Sequence, residues 1–262
     1  ARPFCPLDEA ALALPAGKAV RGYQLEGVNW LLACWHARRS NVLADEMGLG
    51  KTCQLLLCLD WLRRHRRMHG PCLVVAPVST LAHWEREVRA WTSLSCVVLH
   101  GPAEARRALF RHECRATDAC GRSTGRLGFH VLITAPDSLT AELGALGALR
   151  WQYLIVDEAH RLKNPNTKLV HALRSLQARH CTLLTGTPVQ NDVGELLGLM
   201  SFLDPDAFGE GRREELLERF GSIRCPEQVV ELQAMIRPYV LRRTKDELSQ
   251  PLPTKSETHL KV

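Results

Sequence analysis

Apolar residues in this chain follow two rhythms, short continuous runs and faces that repeat every three to four positions, and the two alternate from Asn41 to Leu184. Continuous runs predict strands at Asn41-Val42-Leu43-Ala44, Cys72 to Ala76, Cys96 to Leu99, Val131 to Thr134, Tyr153 to Val156 and Cys181 to Leu184. A run without alternation is buried on both faces, which belongs to a parallel sheet covered by helices on each side. The helical rhythm predicts faces at Leu25, Val28, Leu31, Leu32 and Trp35, at Leu55, Cys58, Leu59 and Leu62, and at Leu81, Trp84, Val88 and Trp91 behind a Ser79 or Thr80 cap. Another lies at Leu169, Val170, Leu173 and Leu176, with a basic helix over Ala103 to Cys114 and a short one carrying Leu139, Leu143 and Leu146. Three more helices are predicted at Val193 to Phe202, Arg213 to Phe220 and Glu227 to Ile236. Thr117 to Gly128 reads as a loop and Glu257 to Val262 as the start of a further strand. The sum is α/β: a three-layer domain with a mostly parallel sheet, helices on both faces and its ligand site at the carboxyl edge. Residues 1–20, rich in Pro and Ala, form a lead-in to a domain over 21–262, and a first residue other than Met fits an excised fragment or a processed chain.

Two of the predicted strands end in residues that carry chemistry. After Asn41 to Ala44 comes Asp45-Glu46-Met47-Gly48-Leu49-Gly50-Lys51-Thr52, which opens the next helix. Glycines let a backbone turn tightly and aim its N–H groups at an anion, and the helix start adds unpaired donors. Lys51 supplies a cation for phosphate oxygens and Thr52 a hydroxyl for Mg²⁺. The usual phosphate-loop pattern has glycine where this chain has Asp45, so spacing alone also admits an ordinary turn with a surface lysine. After Tyr153 to Val156 comes Asp157-Glu158-Ala159-His160. Alone, such an acid pair would read as a helix cap and its first-turn acid. In a chain with Lys51 it fits nucleotide hydrolysis, Asp157 holding Mg²⁺ and Glu158 orienting and deprotonating the attacking water.

Other positions are read around this pair. Tyr23 and Gln24 offer a ring to pack on a nucleobase and an amide to match its edge, or equally are only a helix N-terminus. Thr185, Gly186, Thr187, Gln190 and Asn191 follow the strand Cys181 to Leu184, and small residues there allow close approach of a ligand that His160 or Gln190 could sense.

Composition narrows the setting. The 262 residues are 45% hydrophobic and 24% charged, enough for one sizeable core, and no run nears the roughly twenty apolar residues of a membrane span. With no secretory leader pattern either, the chain is expected to be soluble and intracellular. Its 10 cysteines include no C-x-x-C pair, and most of them, Cys53, Cys58, Cys72, Cys96 and Cys181, lie in predicted helices or strands and read as reduced core thiols; His112, Cys114 and Cys120 match no standard zinc spacing, so no structural metal is expected. A net charge of +6 permits a polyanionic partner without requiring one. The densest basic run, Arg63-Arg64-His65-Arg66-Arg67, reads as a solvated helix end offsetting the helix dipole, with a nucleic-acid patch as the alternative.

Taken together, Gly22 to Leu31, Asp45 to Thr52, Asp157 to Asn164 and Leu183 to Asn191 resemble the first ATPase lobe of the Swi/Snf-type, helicase-related DNA translocases of helicase superfamily two. Glu227 to Ile236, Leu241-Arg242-Arg243-Thr244-Lys245 and Lys255 to Thr258 are similar to its chromodomain-helicase branch and to the macrodomain-bearing remodeller. The resemblance implies a RecA-like lobe that couples ATP hydrolysis to movement along double-stranded DNA, usually on nucleosomes in the nucleus. It implies that Gln24 reads adenine, that the loop from Asp45 through Glu46, Met47, Gly48, Leu49 and Gly50 to Lys51 and Thr52 holds ATP and Mg²⁺, and that Asp157 and Glu158 serve metal and water. It places Ser79, Thr134, Asn191, Arg161 and Lys163 toward the DNA backbone, although Thr134-Ala135-Pro136-Asp137 departs from the family's usual Thr-Tyr-Glu-like run. The family also uses a second lobe whose arginines complete the site; without it this chain is expected to bind ATP weakly and turn it over very slowly. Two rival readings are a non-catalytic scaffold lobe that binds a protein or histone partner, and an RNA helicase of the Asp-Glu-Ala-His class.

Overall fold

The computed structural model describes residues 4–66, 68–117, 123–186, 193–221 and 225–248. Its strands are β1 (Asn41–Leu43), β2 (Cys72–Val75), β3 (Cys96–Leu99), β4 (Arg115–Thr117), β5 (Ser123–Leu127), β6 (Val131–Thr134), β7 (Tyr153–Val156), β8 (Cys181–Leu184) and β9 (Val240–Leu241). Its helices are α1 (Gly22–His36), α2 (Lys51–His65), α3 (Leu81–Trp91), α4 (Ala103–His112), α5 (Pro136–Ala141), α6 (Leu143–Gly147), α7 (Lys168–Ser175), α8 (Val193–Leu203), α9 (Pro205–Phe208), α10 (Glu210–Phe220) and α11 (Pro226–Ile236).

Seven strands form one sheet in the order β3-β6-β2-β7-β8-β1-β9, every pair parallel. The continuous apolar runs earn their place because both faces of the sheet are covered. Val75, Leu132, Leu154, Val156 and Leu183 point into one core with α7, α8 and α10. Their neighbours Val74, Ile133, Tyr153, Ile155 and Leu184 point into the other with α1, α2 and α3. This is the three-layer α/β arrangement that the pattern predicts.

Several details differ from the pattern. The predicted loop over Thr117 to Gly128 is flanked by a small antiparallel pair, Arg115 opposite Leu127 and Thr117 opposite Ser123, which its mostly polar composition does not announce. The single helix expected around Leu139 to Leu146 is two, broken at Glu142. The short helix α9 is additional; Asp204 caps it by accepting from Ala207 N, and Pro205 takes its first position. Glu257 to Val262 lie outside the described residues. Among the described residues no helix is long and apolar enough to cross a membrane. Cys53, Cys58, Cys72 and Cys181 are buried free thiols, as expected of core cysteines, and burial raises all four thiol pKa values.

At the amino-terminal edge of the sheet a fully buried polar chain ties three strands together. Tyr153 Oη donates to Thr182 Oγ1 (2.7 Å), Thr182 to Asn41 Oδ1 (3.0 Å), and Asn41 Nδ2 to His180 Nε2 (3.3 Å). Trp35 stacks on Tyr153 with ring centres 5.6 Å apart. His180 must stay neutral to accept that bond, and burial pushes its pKa down to about 3. The unfolded chain therefore binds a proton, between pH 3 and the ordinary 6.5, that the folded chain refuses. Stability is expected to fall as pH drops through that window, by up to about 1.4 kcal/mol per unit. Urea midpoints at pH 7 and pH 5 should differ less in His180→Gln than in the parent; an unchanged difference would remove His180 from the acid response.

Candidate active site

β1, β8 and β7 are neighbours in the sheet and run in the same direction, so the segments leaving their carboxyl ends open onto the same edge. Three stretches separated in sequence are thereby brought together: Asp45 to Thr52 after β1, Thr185-Gly186 after β8, and Asp157 to His160 after β7.

The loop after β1 turns through two left-handed glycines, Gly48 at φ +92° and Gly50 at φ +77°, conformations that a side chain would strain. Gly50 is the residue before α2, so the chain enters the helix at Lys51 with its first amides unpaired by any side-chain cap. Lys51 Nζ donates to the Asp45 carbonyl at 2.7 Å. Burial lowers the Lys51 pKa, and the carboxylates of Asp45, Asp157, Glu158 and Glu46 oppose that shift. Both acids after β7 therefore act on the Lys51 ammonium, as a shared site requires. Gly186 completes the enclosure: a Cβ there would stand 2.8 Å from Met47 Cγ and 3.8 Å from Lys51 Nζ.

Asp157 is held from two sides. Its Oδ2 accepts from Trp84 Nε1 (2.9 Å), its Oδ1 from the Glu158 amide (2.9 Å), and its own amide donates to Val75 O. Each carboxylate oxygen keeps a lone pair for a cation. Glu158 itself sits in the left-handed region at φ +51°, an uncommon state for a residue with a side chain and one that gathers at functional sites. Its Oε2 lies 3.2 Å from His160 Nδ1, but without hydrogen-bond geometry, and that nitrogen is otherwise unpartnered. The donor set, a hydroxyl at Thr52 and a carboxylate at Asp157 beside an ammonium and a glycine cradle, suits Mg²⁺ on a polyphosphate.

The remaining predicted residues divide. Gln24 does reach the loop: its Nε2 lies 3.4 Å from Leu49 O, while its Oε1 accepts from Arg21 N and caps α1. Tyr23 is buried, its ring under the Arg243 guanidinium (5.6 Å), so it does not present an open face for stacking a base. Met47 is exposed and Leu49 buried. Ser79, in the 3-10 helix Val78–Thr80, Arg161, in the 3-10 helix Ala159–Leu162, and Lys163 just past it are exposed at the same edge of the sheet. Thr134 is not: it is fully buried, with its hydroxyl donating to Leu99 O at 2.8 Å, so that side chain is withdrawn from any DNA. Burial of β6 on both faces is the reason. Thr185 is buried beside Gly186. Thr187, Gln190 and Asn191 lie outside the described residues, as does Cys120.

Two contributors were not predicted. Trp84 reads as one more core residue of an amphipathic helix, yet its ring N–H orients Asp157. Arg243, just past β9, reaches back to the loop: Nε donates to Asp45 Oδ1 (3.0 Å) and Nη2 to Asp45 Oδ2 (2.5 Å) and Gln54 Oε1 (2.8 Å), and Nη1 donates to Tyr23 O. The unusual acid at the head of the phosphate loop is thus one half of a buried, two-pronged ion pair. The run Leu241-Arg242-Arg243 in the sequence carries the family resemblance but no sign of this contact.

The family model described as "SNF2-related domain" matches residues 23–262. Human chromodomain-helicase-DNA-binding protein 6 is 44% identical over 93% of this chain, and human chromodomain-helicase-DNA-binding protein 9 is 43% identical over 94%. The chain spans only 9% and 8% of those two proteins. Among solved structures, the SWI2/SNF2 ATPase core of Sulfolobus solfataricus in complex with dsDNA matches with a TM-score of 0.75 and 29% identity, over 92% of this chain and 47% of that one. Fold, site geometry and these similarities agree that the chain belongs to the SNF2-related domain family.

Proposed function

We propose that this chain is the first lobe of an ATP-driven, double-stranded DNA translocase that works in chromatin remodelling in the nucleus. The observation that carries the reading is the convergence of the Lys51 loop with Asp157 and Glu158 at one sheet edge, on a loop that turns through two left-handed glycines into a helix start with no side-chain cap. In this reading Thr52 and Asp157 hold Mg²⁺, Lys51 grips the β- and γ-phosphates, Glu158 takes the proton of the attacking water, and Gln24 meets the adenine edge. His160, Thr185 and Gly186, with Thr187 and Gln190, relay the state of the nucleotide to the DNA face. A scaffold lobe has no physical need for the ammonium, hydroxyl and acid pair together, and this favours the enzyme.

DNA contact is supported by the exposure of Ser79, Arg161 and Lys163 at the same edge and by the duplex bound to the Sulfolobus relative. The lobe alone is expected to hydrolyse ATP very slowly, because an arginine supplied by a second lobe is typically worth about 10³–10⁵ in rate. Nucleosomes are the proposed larger substrate, given the chromodomain-helicase relatives.

Two titrations test the reading. Calorimetry with Mg-ATP should show binding to the parent chain and none to Lys51→Ala. Fluorescence anisotropy with a labelled duplex should show weaker binding of the Arg161→Ala/Lys163→Ala variant, with the slope of log affinity against log salt reduced by about two. Equal binding of ATP by Lys51→Ala would remove the phosphate role, and a preference for RNA over duplex DNA would replace the translocase by an RNA helicase.

A further inference from the structure

A carboxylate at the head of a phosphate cradle ought to repel the ligand. Asp45 occupies that place, is fully buried, and lies close enough to Lys51 for its charge to act there. Its charge is met by Arg243, which is 198 residues away in sequence and itself only 13% exposed in its side chain. The grip is two-pronged, the geometry in which a guanidinium fixes a carboxylate in orientation as well as charge.

The surroundings are shaped to admit that grip. At Gly27 of α1 a Cβ would stand 1.8 Å from Gln54 Oε1 and 2.9 Å from Arg243 Nη2, so a side chain there would displace the amide and the guanidinium from these positions. Gln54, fully buried, bridges the pair to the loop, donating from Nε2 to Asp45 Oδ2 (3.2 Å) and to Leu49 O (3.2 Å). The backbone joins in: Glu46 N donates to Arg243 O (3.0 Å), Lys245 N donates to Glu46 Oε2 (2.8 Å), and Lys245 Nζ lies 3.1 Å from Glu46 Oε1. The segment after β9 therefore lies as a strap along the loop, gripping Asp45 and Glu46, while Lys51 hangs from the Asp45 carbonyl.

We infer that Arg243 is a positioning residue for the nucleotide's phosphates: through Asp45 it cancels the buried negative charge at the head of the cradle and fixes the carbonyl that aims Lys51. The inference rests on the nucleotide reading above. Arg243 touches no phosphate in this scheme; it acts through Asp45 alone. The chemistry it serves is a polyphosphate, since neutralising Asp45 matters most for a ligand carrying several negative charges.

Calorimetry with Mg-ATP on four chains tests it: the parent, Arg243→Met, Arg243→Lys and the double variant Asp45→Asn/Arg243→Met, each with its melting temperature measured. Arg243→Met strands a buried carboxylate and is expected to weaken Mg-ATP by a factor on the order of 10 to 100. Arg243→Lys keeps the charge without the two-pronged grip and should fall between. The double variant lacks the pair but also lacks the stranded charge, and should recover most of the affinity together with part of the melting temperature that Arg243→Met loses. Both variants carry the same loss of arginine packing, so the recovery assigns the effect on the ligand to the uncompensated charge. Affinity equal to the parent's in Arg243→Met would overturn the inference, as would a double variant that folds yet binds no better than Arg243→Met. Should Arg243→Met not fold, parent-like affinity in Arg243→Lys overturns it instead. A parent chain that binds no Mg-ATP sinks the nucleotide reading first, and is told apart because it needs no variant.

Discussion

Glu158→Gln is expected to leave Mg-ATP affinity close to the parent's and to cut turnover by about 10²–10⁴, the usual contribution of a positioned general base. The substitution keeps size and shape but removes the oxygen that can take a proton from water. It leaves the Lys51 ammonium proposed for the phosphates and the Asp157 carboxylate in place, so binding and chemistry separate. The left-handed backbone at Glu158 sharpens the expectation, because glutamine tolerates that conformation no worse than glutamate does. The measurement is steady-state hydrolysis with duplex DNA in the full-length protein, beside nucleotide binding by calorimetry. Retained turnover would move the base elsewhere, and His160, 3.2 Å from the Glu158 carboxylate, would be the next group to examine.

The second large effect belongs to Trp84. It is fully buried between α3 and the sheet, so Trp84→Ala should cost about 3–5 kcal/mol of stability, in the range of large-to-small core substitutions. Trp84→Phe divides the role. A phenyl ring keeps most of the packing but cannot donate to Asp157 Oδ2, so the carboxylate loses one of the two N–H groups that fix its rotation. The half-saturating Mg²⁺ concentration for nucleotide binding should rise in Trp84→Phe by roughly threefold to tenfold, the value of one hydrogen bond to a charged group shared with solvent. Urea melts of the alanine variant and Mg²⁺ titrations of the phenylalanine variant check the two halves. An unchanged Mg²⁺ requirement in Trp84→Phe would reduce Trp84 to core packing.

What the sequence made legible follows from what is local. β2, β6, β7 and β8 are each four residues buried on both faces, so their apolar runs announce strand, parallel pairing and helical cover at once. The loop from Asp45 to Thr52 and the acids at 157 and 158 were legible for the same reason, since each is a short motif at a strand end. The contacts that complete the site are not local. Trp84 and Asp157 are 73 residues apart and Arg243 and Asp45 are 198, and a tryptophan on an apolar helix face or an arginine in a basic run carries no mark of its distant partner. Thr134 shows the opposite failure. The family resemblance put it toward DNA, but its hydroxyl turns back to the neighbouring strand and satisfies Leu99 O. Asp204-Pro205 did carry a helix-start signal for α9, but a helix of only four residues has too few positions to set up a repeat.

One consequence of the strand order concerns length. A single strand, β8, lies between β1 and β7, and adjacent strands stand about 4.8 Å apart, so the stems of the phosphate loop and of the acid pair are separated by about 10 Å. That gap works as a built-in ruler. It is held by rows of backbone hydrogen bonds on both sides of β8 rather than by any side chain, so substitutions at the rim can change what is gripped without changing how far apart the two jaws are set.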